Sequence, residues 1–298
     1  MSDSLLFRPC PDAVYGFAHA RLVARVNSPY QLIEVWDTDQ LGRLFTLDGR
    51  PMTSTGDEFI YHECMVHPIA LAHPSPRTAL VLGGGDGGAA RQLLRHPGIE
   101  RIVVAELDAE VVRLTREHLP AVCGGAFDDP RVELVIGDAA HYVAHCVAHC
   151  VAAAAPAQFD LVVFDLTPPD SPAAGLYTPA FYTQLKRAMR PSAALSLHLG
   201  SPYFHARRVA GLLDDLHAAF GIVRTMHTFV PLYGSLWMMA SASDTLDPAA
   251  LAIDTLTERL ATRGIDSLKH YDPAMHAGLF SASRAVRDKL GQFLKPSS

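Results

Sequence analysis

Beyond Arg77 the chain alternates between continuous apolar runs and segments whose apolar residues recur every three or four positions. TALVLGG, RIVVAEL, VELVIGD and FDLVVFDL have the length and composition of buried strands, whereas AARQLLRH and AEVVRLTREHL carry the spacing of one helix face. Strands alternating with helices predict a parallel sheet covered by helices, with ligands beyond the carboxyl ends of the strands. The pattern continues with a helix over TPAFYTQLKRAM, a strand over AALSLHLG and a helix over RRVAGLLDDLHAAF. IVRTMHTFV and SLWMMASAS, separated by PLYGS, predict a closing hairpin that places one antiparallel strand in the sheet. The tail from about Asp247 reads as mostly helical.

Upstream the period changes. YQLIEVWDTD and RLFTLDG are strand-like, with a turn at QLG between them. The chain is therefore expected to be α/β in two units, an N-terminal β-domain over residues 1–70 and a larger α/β domain over 71–298.

Composition narrows the function classes. With 298 residues, 49% hydrophobic and 19% charged, the chain can bury a full core. A formal charge of -6 and a pI near 6.2 argue against a nucleic-acid or anionic-membrane binder and lean toward neutral or cationic ligands. The start, MSDSLLFRPCPD, has no basic segment followed by an apolar run, and no stretch approaches the ~18 apolar residues of a membrane span. Five cysteines, at 10, 64, 123, 146 and 150, form no small-domain disulfide framework, so free thiols in a reducing compartment are expected. A cytoplasmic enzyme fits these features.

The candidate chemistry gathers at the strand ends. LVLGGGDGGAA, residues 80–90, packs five glycines around Asp86 where a strand runs into a helix. Glycine loops in that position ordinarily receive an anion, so an acid there needs a reason. Glu106, Asp138 and Asp165 close the next three strands and are expected on the same rim as Asp86. Glu106, about twenty residues past the loop, suits a bidentate grip on ribose hydroxyls. Asp138 can accept from an adenine amino group.

One further stretch invites a metal reading. In HYVAHCVAHC, His141, His145 and His149 fall four apart and would share a helix face, with Cys146 and Cys150 supplying sulfur nearby. The Val and Ala between them, the Pro156 turn that follows, and the lack of a second ligand cluster favour a structural, partly exposed helix. No metal site is expected.

The run DEFIYHECMVHPIALAHPSPRTALVLGGGDGGAARQLLRHPGIERIVVAELDAEVVRLTREHLP, followed by FDDPRVELVIGDA, resembles the polyamine aminopropyltransferases, the spermidine synthase family. The likeness extends upstream through YQLIEV and LDGRPMTSTGDEF and downstream through FDLVVFDLTPP, LYTPAFY, VPLYGSLW and HAGLF, nearly the whole chain. It implies a small N-terminal β-domain on a Rossmann-like sheet of the methyltransferase type, assembled as a homodimer or homotetramer. The donor would be decarboxylated S-adenosylmethionine, a co-substrate and not a tightly bound cofactor. The acceptor would be a small polyamine, and methylthioadenosine would be released.

Within that resemblance Asp86 finds its reason: the decarboxylated donor ends in an ammonium, which an acid attracts while repelling the carboxylate of S-adenosylmethionine. The resemblance implies donor contacts for Gln31, His62, Glu106, Asp138, Ala139 and Pro172. It makes His62 a position shared by donor and acceptor, gives Tyr61 and Tyr233 the task of orienting the attacking amine, and makes Asp165 its proton acceptor. Where spermidine synthases read D-[ST]-[ST]-D-P this chain reads DLTPPD, so Pro168 takes the place of the second acid and Asp170 lies two residues beyond it. Spermine-forming relatives also lack that acid, and His198 stands where the family has a glutamine. Asp170 and His198 are thus the acceptor-side candidates, and the acceptor is left open between putrescine and a longer amine. The alternatives on the same fold are an S-adenosylmethionine-dependent methyltransferase and a non-catalytic homologue that binds polyamine or nucleoside. Asp86 argues against the first, and the retained Asp165, Tyr61 and Tyr233 argue against the second.

Overall fold

A computed structural model describes residues 3–153 and 157–294 of the chain. An antiparallel sheet in the order β1-β2-β3-β4-β5 contains β1 (Asp3–Cys10), β2 (Ala13–Asn27), β3 (Leu32–Thr38), β4 (Gly42–Leu47) and β5 (Arg50–Ser54). β4 and β5 are joined through Asp48 and Gly49 at φ 49 and 72, the left-handed pair that a tight two-residue hairpin turn demands.

The chain then enters α1 (Glu58–Ala72), a helix buried along nearly its whole length. The expected boundary at residue 70 falls within this helix. The strands of the small sheet end at Ser54, and α1 packs against α2 and the interior strand β10 of the larger sheet. A helix buried on all sides has no polar face, so EFIYHECMVHPIALA shows no helical period and Pro68 further disguises it.

The larger sheet takes β6 (Thr78–Gly83), β7 (Arg101–Glu106), β8 (Val132–Ile136), β9 (Phe159–Asp165), β10 (Met189–Gly200), β11 (Ile222–Val230) and β12 (Ser235–Ser243) in the order β11-β12-β10-β9-β6-β7-β8. From β10 to β8 all neighbours are parallel, while β12 runs antiparallel to both β10 and β11, as the closing hairpin predicted. The helices are α2 (Gly88–Leu94), α3 (Ala109–His118), α4 (Pro120–Cys123), α5 (Ala139–Ala152), α6 (Pro179–Lys186) and α7 (Ala206–Ala219), with α8 (Ile253–Thr262), α9 (Pro273–Leu279) and α10 (Arg284–Gly291) in the tail. The middle strands are sealed on both faces: Leu80, Leu82, Val162 and Phe164 face one core, Val81, Leu161 and Val163 the other, and all are fully buried. No helix among the described residues is long and apolar enough to cross a membrane.

α5 carries the VAHC repeat as predicted, but its ligand types divide. His141, His145 and His149 lie exposed, while Cys146 and Cys150 are buried and Cys146 joins the core with Val143 and Val147. The turn expected at Pro156 lies outside the described residues.

Candidate active site

The larger sheet reverses its direction of growth between β6 and β9: β7 and β8 lie on one side, β9 and β10 on the other. A crevice opens at such a reversal, at the carboxyl ends of the strands. There Gly83 pairs with Asp165, so the glycine loop and the acid of the DLTPPD stretch are neighbours across a ladder. Two glycines of the loop are fixed by what they approach. A Cβ on Gly83, whose φ is 77, would stand 2.3 Å from the Asp165 carbonyl oxygen, and one on Gly88 would stand 2.2 Å from the His62 ring.

His62, on α1, is the centre of a buried charge cluster. Its Nδ1 lies 2.8 Å from Glu58 Oε2, and its Nε2 lies 3.5 Å from Asp86 Oδ2 and 3.7 Å from Asp165 Oδ2. Arg91 of α2 closes the chain behind, 2.5 Å from Glu58 Oε1. Burial opposes a charge on His62, yet the surrounding Asp86, Asp165 and Glu58 carboxylates outweigh it and hold the imidazole well above its usual range, so the ring is an imidazolium. Asp86 is also penalised by burial, but the His62 charge and the Gly88 N–H, which donates to Oδ1 at 2.8 Å, keep it ionised below the usual carboxylate range. Asp165 goes the other way: burial and the adjacent Asp86 charge push it up against the pull of His62. Its Oδ2 is buried without a hydrogen-bond partner. With all five side chains ionised, the three acids exceed His62 and Arg91 by one negative charge.

On the β7–β8 side both oxygens of Glu106 are engaged by backbone, Oε2 accepting from Gly85 N at 3.0 Å and Oε1 from Asp108 N at 2.9 Å. Burial, aided by Asp108 and Asp165, nevertheless raises its pKa to about 7. Gln31 donates from Nε2 to Asp108 Oδ2 at 3.0 Å, leaving its carbonyl oxygen available. Asp138 caps α5 through Oδ1, which accepts from Ala140 N at 2.7 Å, and the side chain is otherwise exposed; Ala139 beside it is buried. Pro172 lines the same cavity.

On the β9–β10 side the lining is aromatic. The Tyr61 ring stands edge-on to Tyr233 with centroids 6.2 Å apart, and Tyr233 packs 4.2 Å from Trp237. Tyr233 donates its hydroxyl proton to Met52 O at 2.7 Å, so towards the cavity it can only accept. His198 stacks on Trp237 and lies 2.7 Å through Nε2 from Leu166 O. Burial lowers its pKa to about 4, so the ring is neutral, with Nε2–H donated and an unpartnered Nδ1 lone pair. Asp170 lies at the edge of this chamber, but its Oδ1 is already taken by Arg50 Nη1 at 2.9 Å and Arg208 Nη1 at 3.5 Å.

All the residues singled out in the sequence, Gln31, Tyr61, His62, Asp86, Glu106, Asp138, Ala139, Asp165, Asp170, Pro172, His198 and Tyr233, border one cavity of about 430 Å³. The sequence reading missed Glu58, Arg91, Arg50 and Arg208. Glu58 had a signal, the i, i+4 spacing to His62, but only a reader who already knew α1 to be a helix could have used it.

Residues 58–250 match the family model described as the spermine/spermidine synthase domain. The chain is 44% identical to a polyamine aminopropyltransferase of Nitrosomonas europaea over 98% of its own length and 87% of the relative's. It is 36% identical to the polyamine aminopropyltransferase of Moorella thermoacetica over 94% of this chain and 93% of that one. Among solved structures it superposes on spermidine synthase from Thermotoga maritima with a TM-score of 0.85 at 28% identity, covering 97% of this chain and 94% of the other. A spermidine synthase in complex with the transition-state analogue AdoDATO gives 0.84 at 28% identity over 94% and 92% of the two chains. Fold, cavity and similarity agree, and the chain belongs to the spermine/spermidine synthase family of polyamine aminopropyltransferases.

Proposed function

We propose that the cavity takes decarboxylated S-adenosylmethionine with its adenosine between Glu106 and Asp138 and its ammonium at Asp86, and an aliphatic polyamine in the aromatic chamber facing Asp165. The observation that carries this reading is the orphaned, buried Asp165 Oδ2 beside the Asp86 carboxylate, at the mouth of that chamber. The one-unit negative excess around His62 favours a donor that ends in an ammonium over one that also bears a carboxylate.

The chemistry asks little of the protein. A primary alkylamine has a pKa near ~10 and is mostly protonated at neutral pH. Asp165, whose pKa burial raises, takes that proton, and Tyr61, Tyr233 and His198 Nδ1 offer acceptors that aim the freed nitrogen. The nitrogen lone pair then attacks the propyl carbon next to the sulfonium. The carbon–sulfur bond breaks with its electrons on sulfur, and neutral methylthioadenosine leaves. The same reading, through the family resemblance, takes the working enzyme to be a cytoplasmic homodimer or homotetramer, which sedimentation and fractionation would test.

The test of the reading is an end-point assay with the decarboxylated donor and a panel of diamines and triamines, resolved by mass spectrometry. Transfer to at least one amine with release of methylthioadenosine is expected; transfer of a methyl group from S-adenosylmethionine instead would overturn it. Putrescine is expected to be a weak acceptor, because Pro168 supplies no acid and Asp170 is committed to arginines. Pro168→Asp should raise kcat/KM for putrescine relative to triamines.

A pH dependence follows from Glu106. Its pKa is raised from 4.5 to about 7, so the carboxyl is protonated below that point in the ligand-free protein. Ribose hydroxyls donate to the ionised form and must expel that proton on binding. Methylthioadenosine should therefore bind more tightly as pH rises, by up to about tenfold per unit between roughly pH 5 and 7, and level off above. Titration calorimetry in buffers of different ionisation enthalpy should show proton release that vanishes in Glu106→Gln.

A further inference from the structure

Three side chains around the glycine loop are spaced more like the ligands of one metal ion than like hydrogen-bond partners. His62 Nε2 stands 3.5 Å from Asp86 Oδ2 and 3.7 Å from Asp165 Oδ2, beyond the ~2.7–3.2 Å of a good N–H···O bond. The donor atoms of the three residues all lie within 4.8 Å of one another. A tetrahedral ion with bonds of about 2.0–2.2 Å sets its ligands roughly 3.3–3.6 Å apart, close to both measured separations. The groups behind these ligands hold them in place. Glu58 Oε2 accepts from His62 Nδ1 at 2.8 Å, which turns Nε2 towards the two aspartates, and Arg91 holds the other Glu58 oxygen. A carboxylate behind a histidine orients the imidazole and raises its basicity towards a metal. Asp86 is fixed through Oδ1 by the Gly88 N–H, and Gly88 lies so near the His62 ring that a Cβ there would stand 2.2 Å from it. Asp165 Oδ2 is buried without a hydrogen-bond partner, and all three residues border the cavity that gives an ion its entry.

We propose that His62, Asp86 and Asp165 form a binding site for a divalent transition-metal ion of the zinc type, which inhibits the protein by taking the place of the donor's ammonium. One imidazole nitrogen and two carboxylate oxygens suit Zn²⁺, whereas Mg²⁺ and Ca²⁺ take six or more oxygen ligands. In the cluster described above the His62 ring carries both protons. The ion displaces the one on Nε2, which leaves to solvent, and water from the cavity completes the coordination. Exchanging one proton for a divalent cation cancels the one-unit negative excess around His62, so the attraction for an ammonium is lost, and Asp165 Oδ2 is engaged by the metal. The metal site stands on geometry alone; its competition with the donor rests on the aminopropyl-transfer reading above.

The test is titration calorimetry with Zn²⁺ alone, in a buffer that does not bind it, on the His145→Ala protein. His145 is common to both i, i+4 histidine pairs exposed on α5, so its removal silences that face as a rival site. One Zn²⁺ per chain is expected, bound about tenfold or more weakly in Asp86→Asn, Asp165→Asn and Glu58→Gln, with no binding heat from Mg²⁺ at the same concentration. Saturating methylthioadenosine should leave Zn²⁺ binding in place, because it lacks the aminopropyl group, while the decarboxylated donor should displace the ion. A variant counts only if its thermal melt and methylthioadenosine binding match those of the parent; the two isosteric asparagine variants each carry the question if the other fails to fold. Unchanged Zn²⁺ affinity in the folded asparagine variants overturns the proposal, as does Mg²⁺ binding as tightly as Zn²⁺, which would make the cluster an unselective acidic patch. If Zn²⁺ binds and weakens as expected but the decarboxylated donor does not displace it, the inhibitory role falls, and with it the placement of the donor's ammonium at Asp86. If the end-point assay shows no aminopropyl transfer at all, that reading has failed, and the Zn²⁺ titrations still decide the metal site.

Discussion

Replacing Asp165 with asparagine is expected to lower aminopropyl transfer by about 10²-fold or more, the scale of a positioned general base, while methylthioadenosine binds as it does to the wild type. The substitution is isosteric, and the backbone contact from Gly84 N to Asp165 O at 2.9 Å does not depend on the side chain. What changes is Oδ2, the buried oxygen with no hydrogen bond of its own, 3.7 Å from the His62 imidazolium. An amide cannot take the proton of the attacking ammonium. Single-turnover rates with both substrates saturating separate this loss from one of affinity. Turnover near the wild-type rate at neutral pH would remove Asp165 from the role.

The second large effect belongs to the donor. Asp86→Asn should weaken binding of the decarboxylated donor by about tenfold or more, from a charge-assisted contact worth ~1.5–3 kcal/mol, and should narrow its advantage over S-adenosylmethionine. An asparagine oxygen can still accept from Gly88 N, so the start of α2 should be preserved. The variant changes the cluster instead: Glu58 and Asp165 then only balance His62 and Arg91, and the excess negative charge that favours a bare ammonium is gone. Competition calorimetry with the two donors measures this directly. An unchanged preference would mean that discrimination lies elsewhere, with the reach of Arg91 the first place to look.

These two acids were legible before any coordinates, for a reason that lies in strand geometry. β6, β7 and β9 run parallel and in register, so residues that end apolar runs, Gly83, Glu106 and Asp165, arrive at one edge of the sheet. Asp138 joins them by capping the helix that follows β8. An alternating apolar pattern thus determines both the α/β fold and the rim where a ligand sits, and it sets an acid inside the glycine loop at that rim. That much the sequence determined by itself.

The tertiary structure decided what those acids face. α1 is buried all round, so its helical period is hidden, and with it the Glu58–His62 pair that makes the centre of the site an imidazolium. Whether a buried carboxyl ionises depends on the charges within a few ångströms of it. Asp86 and Asp165 share His62 yet are driven in opposite directions, Asp86 stabilised as the anion by a backbone N–H and Asp165 left with an unpaired oxygen. Asp170 shows the same limit on the acceptor side. Its spacing in DLTPPD offers it as a substitute acid, but Arg50 reaches it from a hairpin turn 120 residues earlier and Arg208 from a helix 38 residues later. Local sequence encodes where a chain turns and which face it buries; electrostatic partnership is set by contacts between distant segments, and only the folded chain brings them together.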